Sequence, residues 1–257
     1  MSTFSVPSNW YETFFTGPAL RFWDAVIPPA ATEAEVAFIT RHIGCRPPAR
    51  ILDVPCGTGR HSLSLAEAGF TVSGFDLSEV GIDLSRSRAE ARGLAVQFSC
   101  TNMLHIQVDE PADGLICMGN SIGYFEPDLT RQLFRKFASV LRAGGRLIID
   151  TGVCAESLLP LSPSRSHQFP GGSFEQEFCY DAVNSVLETR AQLTLEGVRH
   201  ELLYRHFLMT SGELVRMLRA VGFDIVGLFG DTQDAKFAPG SPRLLLVASR
   251  KEDPVPE

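Results

Sequence analysis

The sequence predicts an α/β fold in which a parallel β-sheet carries helices on both faces and is interrupted by an antiparallel β segment. Short apolar runs alternate with helical patterns over residues 49–152, and this alternation is typical of parallel sheets. Three β-like runs then follow one another over residues 173–209 without helices between them. A helical pattern and two further strand-like runs return over residues 210–250.

Residues 1–48 precede this core and are predicted to form an N-terminal aromatic and helical cap. Six aromatic side chains fall between Trp10 and Trp23. Thr32 and Glu35 match the capping box that opens many helices, so a helix is expected to begin there and to end near Gly44.

The core segment is expected to alternate strands and helices. The predicted helices are expected to end at glycines, namely Gly69, Gly93 and Gly144. Ser78 is a candidate N-cap for one of them. The predicted strands cover residues 50–54, 71–75, 95–99, 114–118 and 146–151, and the predicted helices cover residues 60–68, 78–92 and 129–141.

The antiparallel segment is expected to form a lid. Its strands are predicted over residues 173–180, 186–195 and 199–209, with turns at 181–185 and 196–197. Thr210 and Glu213 match a second capping box, and the last strands are predicted over residues 223–229 and 244–249. The order of these elements predicts a core of residues 49–152 and 210–250 with a lid insert of residues 153–209.

Composition excludes several classes of function. The 257 residues are 44% hydrophobic and carry a formal net charge of −7, so a packed core is expected and wholesale disorder is not. The chain has no run of Lys or Arg, no apolar stretch near 18 residues and no leader-like N-terminus. We therefore expect a cytoplasmic protein, monomeric or homodimeric, that binds neither nucleic acid nor membranes. None of the six cysteines forms a CxxC pair or a metal-like cluster.

The strongest functional signal is the end of the first predicted strand, which reads ILDVPCGTGRH over residues 51–61. Gly57 and Gly59 allow a tight turn and a close approach of the backbone to a ligand, and the next helix would direct N–H groups at it. Asp76 ends the second strand nineteen residues after Gly57. A carboxylate at this place accepts both hydroxyls of a ribose.

The ligand is expected to be an adenine nucleoside without phosphates. A dinucleotide fingerprint needs a third glycine where this sequence has Ser62, and Pro55 stands in the turn. No GxxxxGK[ST] motif is present, so the sequence excludes a P-loop.

On these motifs the sequence resembles the class I S-adenosylmethionine-dependent methyltransferases. Nearest are the glycine N-methyltransferase and amino-sugar N-methyltransferase groups, which act on small molecules. The resemblance covers roughly residues 10–250 and implies a Rossmann-like, seven-stranded sheet with S-adenosylmethionine as the cofactor. The motifs that carry it are residues 52–59 (LDVPCGTG), Asp76, residues 101–103 (TNM), residues 116–121 (ICMGNS) and residues 141–146 (LRAGGR).

The resemblance also implies roles for individual residues around the cofactor. Those expected to bind it are Asp53 and Gly57 at the amino-acid end, Asp76 at the ribose, Leu77, Asn102 and Met103 at the adenine, Met118 and Gly119 through the backbone, and Tyr11 and Trp23 over the sulfonium. The arginine that holds the cofactor carboxylate in glycine N-methyltransferases has no counterpart near Thr32, and Arg60 is the candidate substitute. An arginine expected after the fifth strand is also missing, which argues against glycine as the substrate.

The candidates for the acceptor site come from the fourth strand and the lid. Tyr124 is the candidate catalytic residue, and the candidate substrate-binding residues are Asn120, Tyr180, Tyr204 and His206. Methyl transfer to an amine needs only a neutral nitrogen, whereas transfer to a hydroxyl needs a base. The sequence therefore favours N-methylation of a small molecule. O-methylation of a hydroxylated or phenolic metabolite, a non-catalytic cofactor-binding protein and an oxidoreductase on the same sheet remain alternatives.

Overall fold

Eight α-helices and eleven strands make up residues 4–252, the part of the chain that this computed structural model describes. The helices are α1 Tyr11–Phe14, α2 Gly17–Val26, α3 Pro29–His42, α4 Arg60–Glu67, α5 Glu79–Ala91, α6 Pro127–Val140, α7 Ala155–Leu158 and α8 Ser211–Ala220. The strands are β1 Arg50–Asp53, β2 Thr71–Asp76, β3 Gln97–Cys100, β4 Ala112–Cys117, β5 Leu141–Thr151, β6 Ser164–Phe169, β7 Gly172–Asp181, β8 Val186–Leu195, β9 Val198–Phe207, β10 Phe223–Phe229 and β11 Leu244–Arg250.

Seven strands form the main sheet in the order β10-β11-β5-β4-β1-β2-β3. The first five strands of the chain pair in parallel, and β11 runs antiparallel to both of its neighbours. The predicted α/β fold with a seven-stranded sheet is confirmed. The strand order reverses between β1 and β4, so a ligand crevice is expected beyond the carboxyl ends of these two strands.

Helices cover both faces of this sheet, because the strands are apolar on both sides. On one face α3 and α4 pack Phe38, Ile39 and Leu65 against Ile51 and Ile116. On the other face α6 and α8 cover the alternate side chains of the same strands, among them Leu52, Leu115 and Leu147. Burial on both faces fixes the register and holds the strand ends rigidly.

The lid is a separate antiparallel sheet in the order β6-β7-β8-β9. The three predicted strands and both turns are present, whereas β6 was not predicted. The sequence of β6 is SRSHQF, and five of its six residues are exposed, so it carries no alternating apolar signal. The boundaries of the lid at residues 153 and 209 remain a prediction.

One of the two predicted capping boxes is wrong. α8 begins with the box formed by Thr210 and Glu213, and Ser78 caps α5 by accepting from Gly81 N, as predicted. By contrast, α3 begins at Pro29 without a side-chain cap. Glu35 lies in its second turn and is bound to side chains of other elements.

The N-terminal segment crosses the carboxyl edge of the sheet and packs against the lid. α1 and α2 were not predicted as separate helices. The ring centroids of Phe22 and Phe174 of β7 are 4.6 Å apart, and those of Trp10 and Tyr204 of β9 are 5.7 Å apart. The first three residues of the predicted cap lie outside the described residues. In the part of the chain that is described, no helix has the length and apolar character needed to cross a membrane.

Candidate active site

A cavity of about 1140 Å³ lies at the carboxyl edge of the sheet, between the N-terminal segment and the lid. It sits at the crossover between β1 and β4, where the topology predicts a ligand crevice. The structure brings nearly all the sequence-predicted site residues together there. Those that line it are Tyr11, Trp23, Gly57, Arg60, Asp76, Leu77, Asn102, Met103, Met118, Gly119, Asn120, Tyr124, Tyr204 and His206.

The loop after β1 presents bare backbone to the cavity. Gly57 has φ +56°, and a Cβ added to it would find no atom within 4 Å. Gly119, after β4, has φ +80° and the same free space. A positive φ favours glycine at both positions, and a ligand can approach the backbone closely where no side chain stands.

The carboxylate of Asp76 lies directly beside this loop. Its Oδ2 accepts from Gly57 N at 2.7 Å and its Oδ1 accepts from Ser78 N at 2.8 Å. Burial raises the pKa of Asp76, and the backbone N–H groups of Ser78 and Gly57 oppose that shift. Each oxygen keeps a lone pair, so the carboxylate can accept two more hydrogen bonds from a diol.

The loop after β3 closes the cavity beyond Asp76. Asn102 caps a short 3₁₀ helix, Met103–His105, by accepting from Leu104 N at 3.0 Å. Met103 is buried and Leu77 is half-buried, and both line the cavity. This end is therefore a mostly apolar slot beside the carboxylate, which suits a flat base.

The other end of the cavity is an aromatic box. We use this name for Trp10, Tyr11, Phe14, Phe15, Tyr124, Tyr204 and His206, which all line the cavity. Trp10 is central, with its ring centroid 4.9 Å from Tyr124, 5.0 Å from Phe14 and 5.8 Å from His206. Tyr11 stacks on Tyr124 at 6.3 Å with an angle of 7° between the rings.

Burial sets the protonation of the box. It raises the pKa of Tyr124 well above its ordinary value and that of Tyr204 to about 12. It also raises the pKa of Tyr11. Burial lowers the pKa of His206 to about 4. At neutral pH the box therefore holds three protonated phenols and a neutral imidazole.

A network of buried charges closes the side of the cavity that faces α3. Arg243 donates from Nε to Asp150 Oδ1 at 2.7 Å and from Nη2 to Glu35 Oε1 at 2.8 Å. Glu35 Oε2 lies 2.5 Å from Arg60 Nη1 and 2.9 Å from His61 Nε2. Burial alone would raise the pKa of Glu35, but these partners lower it far below its ordinary value. Asp150 in turn accepts from Gly119 N at 3.2 Å, so the network supports the loop after β4.

Residues 51–145 match the sequence model of a protein family that is described as a methyltransferase domain. This range holds the loop after β1, Asp76 and the loop after β4. Together with the seven-stranded sheet, this match identifies a methyltransferase domain of the class I S-adenosylmethionine-dependent type.

Three relatives of this methyltransferase illustrate the family. The glycine/sarcosine N-methyltransferase of Aphanothece halophytica is 26% identical over 88% of this chain and 86% of its own length. The glycine N-methyltransferase of Oryctolagus cuniculus is 30% identical over 54% of this chain and 53% of its own length. The match therefore spans about half of that enzyme. The ubiquinone biosynthesis O-methyltransferase of Xanthomonas euvesicatoria is 27% identical over 65% of this chain and 77% of its own length.

Two solved structures share the fold of this methyltransferase. The CcbJ methyltransferase from Streptomyces caelestis superposes with a TM-score of 0.81 at 18% identity, over 93% of this chain and 99% of that one. An amino pentose methyltransferase of calicheamicin biosynthesis from Micromonospora echinaspora gives a TM-score of 0.70 at 18% identity, over 92% and 98% of the two chains.

The cavity of this methyltransferase fits the cofactor of its family. The open space beside Gly57 and Gly119 is a cradle that a Cβ would fill. The free lone pairs of Asp76 suit the ribose hydroxyls, and the slot at Leu77 and Met103 suits the adenine. We expect these groups to hold S-adenosylmethionine with its methyl directed at the aromatic box.

Two predicted site residues do not reach the cavity. Asp53 has no exposed surface and lies beneath the loop, where its Oδ2 accepts from Ser62 Oγ at 2.6 Å. Its side chain is therefore directed at α4, beneath the loop, and not at the cavity. Tyr180 shares a face of β7 with Gln176 and Phe178 and pairs with Leu187. Those three residues line the cavity, but Tyr180, next to the end of the strand, does not.

The predicted role of Arg60 is also limited by the structure. Its Nη1 is committed to Glu35 at 2.5 Å and to Thr32 Oγ1 at 3.0 Å. The remaining N–H groups of the guanidinium are the part of Arg60 that can serve a cofactor carboxylate.

Sequence reasoning missed a second set of cavity residues. Asp24 of α2 accepts from both terminal nitrogens of Arg88 of α5 at 2.7 Å and from Thr58 Oγ1 at 2.7 Å. The hydrogen bond from Arg88 lowers the pKa of Asp24. We call this set the Asp24 latch. Its members are 34 and 30 residues apart, so no local pattern could indicate it.

Proposed function

We propose that this methyltransferase transfers the methyl group of S-adenosylmethionine to an amine nitrogen of a small molecule. One observation carries the proposal. The titratable side chains of the aromatic box are three tyrosines whose pKa is raised by burial and His206, whose pKa is lowered to about 4. None of these groups is a strong base at neutral pH. A hydroxyl acceptor would need one, whereas an amine has only to arrive neutral.

The chemistry that the cofactor supplies when bound is an electrophilic methyl group on a sulfonium. The residues of the chain position the acceptor and exclude water. Trp10, Tyr124 and Tyr204 are all less than 10% exposed, so the box is dry and its walls are rigid. Holding two reactants in line in such a site contributes about 7 kcal/mol or more to lowering the barrier. Aromatic faces also suit a cationic sulfonium.

The names of the relatives agree with a nitrogen acceptor, since two of the three relatives above are N-methyltransferases. The cavity also holds one arginine that can serve the acceptor. Of the five arginines that line it, Arg60, Arg88, Arg92 and Arg243 are paired with carboxylates, whereas Arg165 has no ion pair among the described residues. We therefore expect an amine whose apolar part fills the aromatic space, and a carboxylate on that amine could pair only with Arg165.

Carbon-13 labelling tests the proposal directly. S-adenosylmethionine with a labelled methyl is incubated with the protein and a fraction of small metabolites, and products are read by carbon NMR. Signals in the N-methyl region support the proposal, and an Asp76→Ala control should remove them. Absence of any consumption of the cofactor would indicate a non-catalytic binding protein instead.

A second candidate function is O-methylation. It is supported by the relative from Xanthomonas euvesicatoria, an O-methyltransferase by name. In the aromatic box His206 is the side chain that could take the hydroxyl proton, but it is a weak base because burial lowers its pKa to about 4. The same labelling experiment separates the two, because O-methyl carbons resonate in a distinct region. O-methyl products alone would replace the proposed function with this one.

A further inference from the structure

His206 is a buried polar side chain to which the structure gives no hydrogen-bond partner. It is 8% exposed and lines the cavity. Within residues 4–252 it makes ring contacts only, to Trp10, Tyr124 and Tyr204 at centroid distances of 5.6–5.8 Å. Its ring nitrogens are not among the fully buried, unpartnered atoms of the described residues, so they keep contact with the cavity. A molecule bound in the cavity can therefore supply the hydrogen-bond partner that the chain does not.

The surroundings of the imidazole indicate what that partner must be. A neutral imidazole has one N–H and one nitrogen lone pair. Ring faces can receive the N–H weakly, but they offer nothing to the lone pair. A neutral amine whose lone pair faces the methyl group can only donate hydrogen bonds, so it can bind the imidazole only at the nitrogen that carries the lone pair.

The groups around His206 keep it neutral. Trp10 faces it from the N-terminal segment, Tyr124 from the loop after β4 and Tyr204 from its own strand. Its partner across the sheet on β8 is Leu187. A Cβ on Gly123 would lie 3.3 Å from its Cδ2, so the ring is packed on that side as well. No carboxylate is among these contacts to stabilise an imidazolium.

We infer that His206 accepts a hydrogen bond from an N–H of the methyl acceptor and so selects amines that still carry hydrogen. The inference rests on the proposed function. A primary or secondary amine held in this way keeps its lone pair free to face the methyl. A tertiary amine has no N–H to offer and leaves the imidazole unpaired. Methylation should therefore stop at the tertiary amine rather than continue to a quaternary ammonium.

Binding of three anilines tests this selection without turnover. Aniline, N-methylaniline and N,N-dimethylaniline are neutral at about pH 7.5 and carry two, one and no N–H groups. Each is titrated by calorimetry into the complex with S-adenosylhomocysteine. We expect dimethylaniline to bind about two- to threefold more weakly than the other two, because leaving the imidazole unpaired outweighs the gain from two buried methyl groups. Added methyl groups alone would give the opposite order.

Two variants of His206 separate hydrogen bonding from packing. In His206→Phe the order should follow apolar surface, with dimethylaniline the tightest. In His206→Gln the amide oxygen still accepts, so the wild-type order should persist. Phe14→Leu is the matched control, because it trims the box without touching the hydrogen bond and should weaken all three anilines alike.

The binding order of the three anilines to the wild-type protein tests the inference even if a variant fails to fold. Dimethylaniline binding as tightly as aniline would overturn the inference, as would absence of binding by all three. A wild-type order that survives in His206→Phe would overturn it too. The proposed function fails by a different result, namely labelled products without N-methyl carbons.

Discussion

At the scale of single residues, the Asp76 carboxylate carries the sharpest prediction. It is bound to Gly57 N and Ser78 N and has lone pairs left for two ribose hydroxyls. Asp76→Ala removes both of those hydrogen bonds, so we expect S-adenosylmethionine to bind more weakly by about 2–3 kcal/mol. Calorimetry measures the change.

The control for this prediction is Asp109→Ala, which removes an exposed carboxylate outside the cavity and should leave cofactor affinity unchanged. Wild-type affinity in Asp76→Ala would show that the ribose is held elsewhere.

Arg243 carries a prediction about stability. It is paired with both Glu35 and Asp150, whose side chains are 6% and 4% exposed. Arg243→Met leaves two buried carboxylates short of a partner, and breaking such a pair typically costs about 3–5 kcal/mol. Urea unfolding should show a loss of about 3 kcal/mol. The double variant Arg243→Met/Glu35→Gln should regain part of the lost free energy of unfolding. If the losses of the two single variants simply add, the two charges are not coupled.

Single residues also show where sequence reasoning works. Gly57 and Asp76 could be predicted because a turn and a strand end are local features. Asp53 was expected at the cofactor, but the structure places it beneath the loop and bonded to Ser62, because a strand-end acid can turn under the loop as readily as over it. Glu35 and Arg243 could not be paired from sequence, because 208 residues separate them.

At the scale of elements, the Asp24 latch joins α2 to the loop after β1 and to α5. Ser78, the N-cap of α5, also donates from Oγ to Phe15 O at 2.7 Å. The N-terminal segment is therefore tied both to the loop after β1 and to the start of α5. Asp24→Asn removes the negative charge from the half-buried ion pair with Arg88. Such a pair contributes about 1 kcal/mol to holding α2 against α5. We expect S-adenosylhomocysteine to dissociate roughly three- to tenfold faster.

Stopped-flow tryptophan fluorescence measures this rate, since both tryptophans, Trp10 and Trp23, lie in the N-terminal segment. Asp83→Asn is the matched control, because it breaks an exposed pair with Arg86 on the same helix. An unchanged rate in Asp24→Asn would mean that the segment does not gate release.

Elements differ in how much of them the sequence reveals. The core strands could be predicted because burial on both faces requires continuous apolar runs. β6 could not, because it pairs with β7 at the edge of the lid and its mostly exposed, polar sequence has no alternating apolar pattern. The box at Thr32 and Glu35 was misread because Glu35 binds Arg60, His61 and Arg243 instead of its own backbone.

At the scale of the whole molecule, topology explains why the site could be located without knowing the acceptor. A parallel sheet whose order reverses between β1 and β4 has one edge where loops from several strands meet. The cofactor-binding end of the cavity is formed by those loops, so sequence motifs can predict it. The acceptor end depends on how the lid and the N-terminal segment close on each other, and no local pattern encodes that contact.

The pH dependence of folding tests the buried state of His206 in the whole molecule. Its pKa is about 4 when folded and about 6.5 when unfolded. Between these values the unfolded chain binds more protons, so the free energy of unfolding falls as pH decreases from 6.5 to 4. The contribution of the neutral His206 to the free energy of unfolding is present in full above pH 6.5 and amounts to about 3 kcal/mol.

Carboxylates titrate near pH 4, so the measurement must be a difference between wild type and a variant. His206→Phe should lack this contribution, and its stability relative to wild type should improve by about 3 kcal/mol between pH 6.5 and 4 in urea unfolding. Phe14→Leu changes a residue of the same box that does not titrate and should give a flat difference. A flat difference for His206→Phe as well would mean that the folded protein protonates His206 as readily as the unfolded chain does, so burial would not be what keeps the imidazole neutral.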